Sequence, residues 1–224
     1  MANLAISDEA PAAWSVDATT KAIATKVAAL GPDVVALQEA GRFNGIDGYQ
    51  VVDATTNSHA GPLLTLVKDE LAKGVQMSSG ALEGFAVITV LGVGSPAPLA
   101  IANVHLEPFA SGSDIRLEQL SVVAEVAPVD NLVVIGDTNS RVSEVRRFEG
   151  LGFKTPKPPA PTWDSIRNSF HRESRGFRAY FTRSLVKGGV SLDEQTVWNQ
   201  PLQRQQRRFY LSDHFALGGS VSIV

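Results

Sequence analysis

Residues 132–139 have the sequence LVVIGDTN, and this stretch decides how we interpret the rest of the chain. Its first four residues are apolar and three of them are β-branched, which predicts a strand buried on both faces. Gly136 follows, and then Asp137, Thr138 and Asn139; strand alternation would place Asp137 and Asn139 on one face. A carboxylate and a carboxamide in that arrangement can orient a water molecule. The same residues also favour an Asx turn that caps the next helix, and the stretch alone leaves both interpretations open.

The composition is that of an ordinary globular protein with one domain. The 224 residues are 44% hydrophobic and 19% charged, and we expect a single domain over residues 1–224. The lack of Cys excludes disulfides and thiolate metal sites. The sequence has neither an apolar run long enough to span a membrane nor a secretory signal, so we expect an intracellular protein, cytoplasmic or nuclear, that is not attached to a membrane.

Charge is distributed unevenly along the chain. Residues 1–112 contain 5 Lys and Arg against 11 Asp and Glu, whereas residues 113–224 contain 15 against 12. Most cations of the second half are Arg, whose planar guanidinium is suited to bidentate phosphate recognition. Charge alone does not distinguish a phosphate-binding surface from a solvated one.

Hydrophobic periodicity predicts alternating helices and strands, and therefore packed sheets flanked by helices. The predicted helices cover residues 16–30, 113–127 and 143–151. The stripe of the second that faces the core comprises Ile115, Leu120, Val123 and Ala127. The predicted strands cover residues 3–6, 33–37, 49–53, 62–67, 84–91, 99–105, 131–136, 178–185 and 215–223.

Polar residues stand at the ends of several of these apolar runs. They are Asn3, Glu39, Asp137, Asn139, Asp213 and His214. A single Glu after a strand is usually a solvated loop residue, and a single His is usually structural. Taken together, these residues provide carboxylate ligands and no thiolate, which suits a hard cation such as Mg²⁺. The single His could donate or accept a proton.

Six short motifs occur in order along nearly the whole chain. They are Asn3, LQE at 37–39, NVHLE at 103–107, GDTN at 136–139, TWDS at 162–165 and SDH at 212–214. This series resembles the endonuclease/exonuclease/phosphatase superfamily, and within it the type 2 tyrosyl-DNA phosphodiesterases. The resemblance implies a four-layer α/β sandwich in which two mixed β-sheets pack face to face with helices outside.

The resemblance also implies an activity and a partner. The activity is hydrolysis of 5′-phosphotyrosyl adducts with Mg²⁺, or Mn²⁺ as the alternative ion. The partner is a DNA 5′ end that carries a tyrosyl or peptide adduct, bound by a monomer.

Roles for individual residues follow from the same resemblance. Glu39 would hold the Mg²⁺ with Asp213 as a second metal residue, and Asn3 would contact the phosphate or the metal shell. Asp137 would orient or deprotonate the attacking water, and Asn139 would position both the phosphate and Asp137. His214 would donate to the phosphoryl oxygens as charge builds. The substrate-binding residues would be His105, Arg141, Arg147 and Trp163.

Two positions depart from the superfamily pattern. Ala5 stands where the family has an Asp, and Ala179 stands where an Asp normally orients the catalytic His. Three hypotheses therefore remain: a tyrosyl-DNA phosphodiesterase, another superfamily enzyme such as an abasic-site endonuclease or a phosphatase, or a weakly active or inactive module that binds DNA ends.

Overall fold

The chain folds into alternating strands and helices in a computed structural model that describes residues 7, 9–41, 43, 45–55, 61–77, 82, 84–168, 170 and 176–224. Asn3, Ala5 and the predicted strand over residues 3–6 lie outside the described residues. Among the helices that the structure describes, none has the length and apolar character needed to cross a bilayer.

The described helices are short apart from the first and the third. They are α1 (Val16–Leu30), α2 (Asp69–Ala72), α3 (Ser113–Val126) and α4 (Val145–Glu149), with 3₁₀ turns at Ala110–Gly112 and Val142–Glu144. The strands are β1 (Val34–Leu37), β2 (Tyr49–Ala54), β3 (Leu64–Lys68), β4 (Gln76–Met77), β5 (Ala86–Leu91), β6 (Leu99–His105), β7 (Leu132–Asp137), β8 (Trp163–Asp164), β9 (Arg178–Ala179), β10 (Thr182–Lys187), β11 (Val190–Trp198), β12 (Leu202–Arg204), β13 (Arg207–Phe209) and β14 (Ala216–Ile223).

Helix α1 has the limits that the sequence predicts because both ends carry caps. The Ser15 hydroxyl accepts a hydrogen bond from the Ala18 amide at 3.1 Å. Gly31 adopts a left-handed φ of 61° and its amide donates to the Val27 carbonyl. These caps satisfy backbone groups that a helix end leaves without partners.

The larger sheet places the LVVIGDTN strand, β7, in its interior, next to the edge strand β10. Its strand order is β10-β7-β6-β5-β4, with β6 and β7 parallel and the other neighbours antiparallel. Asp137 at the end of β7 pairs with His105 on β6 and with Thr182 on β10. Because paired residues share a face of the sheet, these three side chains point to the same side.

The smaller sheet has the order β1-β3-β2 and packs on the larger one. Apolar side chains of β6 and β7, among them Ile101 and Val133, meet Val34 of β1 between the sheets. Helix α1 covers the outer face of the smaller sheet, and α3 and α4 cover the outer face of the larger one. The described chain is thus the predicted four-layer α/β sandwich with helices outside. Its remaining strands form the pairs β8–β9, β12–β13 and β11–β14.

Two sequence predictions were wrong in detail. The strand predicted over residues 178–185 is two strands, β9 and β10, separated by residues 180 and 181. On α3, Ile115 is 49% exposed, whereas Arg116 is completely buried. Apolar periodicity cannot anticipate a buried Arg, because its burial depends on a distant carboxylate partner.

That partner is Glu144, in the 3₁₀ turn after β7. The Arg116 guanidinium donates to both carboxylate oxygens at 2.8 and 2.7 Å. Its remaining Nη donates to the carbonyls of Glu107 and Phe109 at 2.7 and 2.6 Å. The buried ion pair therefore ties the loop that follows β6 to the loop that follows β7, and both loops begin at the candidate site.

We expect Arg116→Met to lower the free energy of unfolding by roughly 3–5 kcal/mol, because Glu144 would be left buried without a partner. The double variant Arg116→Met/Glu144→Gln should recover part of this loss, because no uncompensated charge remains. Urea denaturation of the wild type, both single variants and the double variant gives the coupling energy. Additive losses would show that the pair is not coupled.

Candidate active site

The candidate site lies at one end of the sandwich, on the rim between the two sheets. Along β7 the residues that face the smaller sheet change from apolar Val133 and Ile135 to Asp137, and His105 ends β6 beside Asp137. The His105 Nε2 and the His214 Nε2 lie 3.6 and 3.5 Å from the same Asp137 Oδ2. The His105 Nδ1 lies 4.0 Å from Glu39 Oε1. The structure thus brings together four of the residues that the sequence singles out.

Glu39 is held in an unfavourable backbone conformation. Its φ is +56°, a left-handed value that costs a residue with a side chain about 1–2 kcal/mol. The neighbouring Gln38 donates from Nε2 to the Asn103 Oδ1 at 2.7 Å, and Asn103 Nδ2 donates to the carbonyls of Leu37 and Leu64. This network fixes the end of β1 and therefore the position of Glu39.

The electrostatic environment of Glu39 favours its protonated form. Its side chain is half exposed, yet partial burial, followed by the nearby Asp213 carboxylate, raises the pKa of Glu39 to about 7. Asp137 raises this pKa further, while His214 opposes the shift. Negative charge gathered at one point is the environment that a hard cation stabilises.

Asp137 uses its two carboxylate oxygens differently. Oδ1 accepts a hydrogen bond from the Asn139 amide at 2.8 Å, which is the Asx turn that the sequence left open. Oδ2 faces the two His rings at distances longer than ordinary hydrogen bonds, so it remains available to accept a hydrogen bond from a ligand or a water molecule. The turn is confirmed, and the interpretation that Asp137 orients a water molecule stays a prediction. Asn139 has a φ of +50° and its Nδ2 donates to the Leu106 carbonyl at 3.0 Å.

Gly136 is required where β7 passes β6 next to the site. Its φ is +136°, and a Cβ at this position would lie 2.2 Å from the Val104 carbonyl oxygen and 3.0 Å from the Gln38 Nε2. Any larger residue would push the strands apart beside Asp137.

His105 is a neutral side chain in this site near pH 7. Burial lowers its pKa below the usual value, although the Asp137 carboxylate opposes this shift. Its Nδ1 is buried without a hydrogen-bond partner. His105 therefore lies between the Glu39 and Asp137 carboxylates without adding a positive charge.

His214 is oriented by a hydroxyl. Its Nδ1 lies 3.1 Å from the Thr182 Oγ1, and Thr182 is the residue that pairs with Asp137. Ala179 pairs with Trp163, which in turn pairs with His214, so Ala179 lies one strand away. The interruption between β9 and β10 brings Thr182 to the ring.

Asn168 holds the loop that carries His214. Its side-chain amide donates to the carbonyls of Ser212 and Asp213 at 2.8 and 3.0 Å. Asn168 is itself buried, so the loop is anchored to the interior.

An aromatic wall lines the site beside His214. We use this name for Trp163, Phe177 and Phe181. The Trp163 ring lies 4.9 Å from the His214 ring, edge to face, and 5.9 and 6.0 Å from Phe177 and Phe181. The Arg141 guanidinium lies 5.0 Å above Phe181. The wall offers aromatic surface and a cation to an aromatic, anionic ligand.

The two Arg residues predicted to bind substrate, Arg141 and Arg147, differ in the contacts that their guanidinium groups already make. Arg141 donates to the carbonyls of Pro108 and Asn139 and stays at the edge of the site. Arg147 lies on α4, where its guanidinium pairs with the Asp114 carboxylate at 2.7 Å and with the Ser113 hydroxyl at 2.8 Å.

Sequence reasoning missed five residues of this site: Gln38, Asn103, Phe177, Phe181 and Thr182. The aromatic residues on both sides of Ala179 were a usable signal. The Gln38–Asn103 bond was not, because it joins residues 65 positions apart.

No protein-family model matches the sequence, and no curated protein is similar enough in sequence to be matched. Solved structures do match. D. rerio TDP2, crystallised with a single-stranded DNA product, aligns over 91% of both chains with a TM-score of 0.68 and 18% identity. The chain therefore shares the fold of this structure.

Two further structures share this fold. Truncated TDP2 of Caenorhabditis elegans has a TM-score of 0.67 and 19% identity, and the alignment covers 92% of this chain and 90% of that chain. The catalytic domain of human Nocturnin, with bound sulfate, has a TM-score of 0.59 and 17% identity over 93% of this chain and 87% of that chain. The predicted resemblance is confirmed at the level of the fold.

The charges at the site fit a hard divalent cation held by few protein ligands. Among the described residues no group of three or more His, Cys, Asp or Glu forms a complete metal cage. Mg²⁺ commonly uses one or two carboxylates and completes its shell with water and substrate phosphate. Glu39, crowded by Asp213 and Asp137, is suited to that role.

We expect Glu39→Gln to stabilise the protein in EDTA at pH 8. Because the pKa of Glu39 is about 7 in the folded state and about 4.5 when unfolded, its ionisation opposes folding. The stability gain should be absent below pH 4.5, grow up to about pH 7 and stay level above. Urea denaturation from pH 4 to 8 measures it. The exposed Glu118→Gln on α3 is the control, and a gain independent of pH would contradict this explanation.

Proposed function

We propose that the protein is a Mg²⁺-dependent phosphodiesterase that hydrolyses 5′-phosphotyrosyl adducts on DNA ends. One observation carries this proposal: a single oxygen of Asp137 faces His105 and His214, close to Glu39 and beside the aromatic wall. This arrangement supports the proposal because it offers a carboxylate that could activate water, an imidazole that could donate a proton and a second carboxylate that could hold a cation.

Asp137 and His214 would divide the chemistry between them. Asp137 Oδ2 would orient the attacking water and accept its proton while the oxygen bonds to phosphorus. Protonated His214 would donate through Nε2 to a non-bridging phosphoryl oxygen, where negative charge accumulates. Thr182 would accept from Nδ1 and keep the ring in place. Mg²⁺, held by Glu39 with Asp213 nearby, would neutralise phosphate charge.

A tyrosyl leaving group lowers the need for an acid that protonates it as it departs. The bond between phosphorus and the tyrosyl oxygen breaks, and the electron pair leaves with the phenolate. Tyrosine has an ordinary pKa of about 10, so its phenolate departs far more easily than an alkoxide. A terminal base or a tyrosyl ring could stack against Trp163 and Phe181, with Arg141 placed for phosphate.

The test compares an oligonucleotide with a 5′-phosphotyrosyl end, an abasic duplex and thymidine 5′-p-nitrophenyl phosphate. The first and third substrates should be hydrolysed in Mg²⁺ and not in EDTA, and Glu39→Gln should abolish both activities. Preference for the abasic duplex would instead indicate an endonuclease. Metal-dependent binding of DNA without turnover of any substrate would indicate a module that binds DNA ends.

We expect Thr182→Val to lower kcat at least tenfold, about 1.4 kcal/mol of barrier, because His214 would lose the group that orients it. Thr182→Ser keeps a hydroxyl and should retain most activity. Ala179→Asp should not raise turnover, since position 179 lies across Trp163 from His214. The measurement is hydrolysis of thymidine 5′-p-nitrophenyl phosphate, and a Val variant as fast as the wild type would remove Thr182 from this role.

A further inference from the structure

A strongly basic hairpin precedes the loop that carries His214. Strands β12 and β13 form it, joined by Gln205 and Gln206. Residues 199–211 contain three Arg and no Asp or Glu. All six residues from 203 to 208 are exposed, whereas Phe209 at the base is buried.

The register of the hairpin sets positive charges against each other. Arg204 pairs directly with Arg207, and like charges in such a cross-strand pair are destabilising. Arg207 donates to the Ala10 carbonyl at 3.3 Å, and no carboxylate among the described residues pairs with any of the three Arg. Arg204 and Arg208 make no side-chain hydrogen bond within the described part of the chain.

The turn of the hairpin is also unfavourable. Gln205 and Gln206 both have left-handed φ values, 48° and 64°, where Gly or Asn is usual. Both features are unfavourable in the free protein, and an anionic ligand would relieve the charge repulsion.

The hairpin projects from the catalytic end of the fold. Trp198, just before it, pairs with Ala216, just after His214. Four residues lie between Phe209 and His214, so the two Cα atoms are at most about 17 Å apart along an extended chain. Phe209 packs edge to face on Trp14 with ring centroids 4.8 Å apart, which anchors the base.

We propose that this hairpin binds backbone phosphates of the nucleic-acid strand that leads away from the scissile phosphate. Guanidinium groups match phosphate geometry, and the Gln side chains add neutral donors that do not select a sequence. The exposed residues of the hairpin are all polar or charged, which suits a polyanion better than a protein interface with its apolar core. This inference rests on the proposed function and extends it to substrates longer than one nucleotide.

The test uses Arg204→Gln/Arg208→Gln in the full chain. The control is Lys73→Gln/Lys187→Gln, which removes two charges at the opposite end of the sheets. Binding of a fluorescently labelled oligonucleotide is followed by anisotropy between about 50 and 200 mM salt. Hydrolysis of thymidine 5′-p-nitrophenyl phosphate and of the phosphotyrosyl oligonucleotide is measured in parallel.

We expect the Arg variant to bind the oligonucleotide more weakly, with a salt slope smaller by about one to two units, and the control to change little. Its hydrolysis of the mononucleotide should stay within about twofold of wild type, while kcat/KM on the oligonucleotide falls. Unchanged binding and salt slope, or equal losses on both substrates, would overturn the inference. If the wild type hydrolyses neither substrate, the proposed function fails, and anisotropy alone still decides the role of the hairpin.

Discussion

The candidate site depends on one buried amide, that of Asn103. It lies between the two sheets with no exposed surface, and its hydrogen bonds join β6 to the carbonyls at the ends of β1 and β3 and to Gln38. A buried amide without partners would cost about 1–3 kcal/mol, so the sheets can pack here in one register only. That register places Glu39 of the smaller sheet opposite His105 and Asp137 of the larger one. The packing of the two sheets at Asn103 thus sets the distances between the residues of the site.

Several features of the site lower the stability of the folded protein. Glu39 has a left-handed backbone and a carboxyl group whose pKa is raised to about 7, and His105 is buried with an unsatisfied Nδ1. Each feature is unfavourable without a ligand and would become favourable next to a cation or phosphate. The Asn103 network holds the chain at Gln38, next to Glu39, and the Arg116–Glu144 ion pair holds the loop that follows His105. These buried interactions stabilise the chain next to the site and keep the site residues in place without a ligand.

The sequence predicts local features of the fold well and long-range contacts poorly. The caps of α1 and the apolar runs of β6 and β7 depend on neighbouring residues, so their limits follow from the pattern. Polar residues at the ends of apolar runs also include Glu39, Asp137 and His214, which the structure brings together. The buried Arg116 and the split between β9 and β10 could not be predicted, because each depends on a partner far along the chain. Asn3 lies outside the described residues, and its role stays a prediction.

The substitution of a hydroxyl for a carboxylate next to His214 has a physical consequence. A carboxylate at Nδ1 would fix the ring and also stabilise its positive charge, whereas the Thr182 hydroxyl fixes the ring without adding a charge. The nearby charges are then Asp137, at 3.5 Å from Nε2, and the carboxylates of Glu39 and Asp213. The hydroxyl that contacts the ring is therefore on β10, whereas the carboxylate that faces the other ring nitrogen is on β7. Because Thr182 and Asp137 pair across the sheet, a shift of β10 by one residue would disrupt both contacts at once.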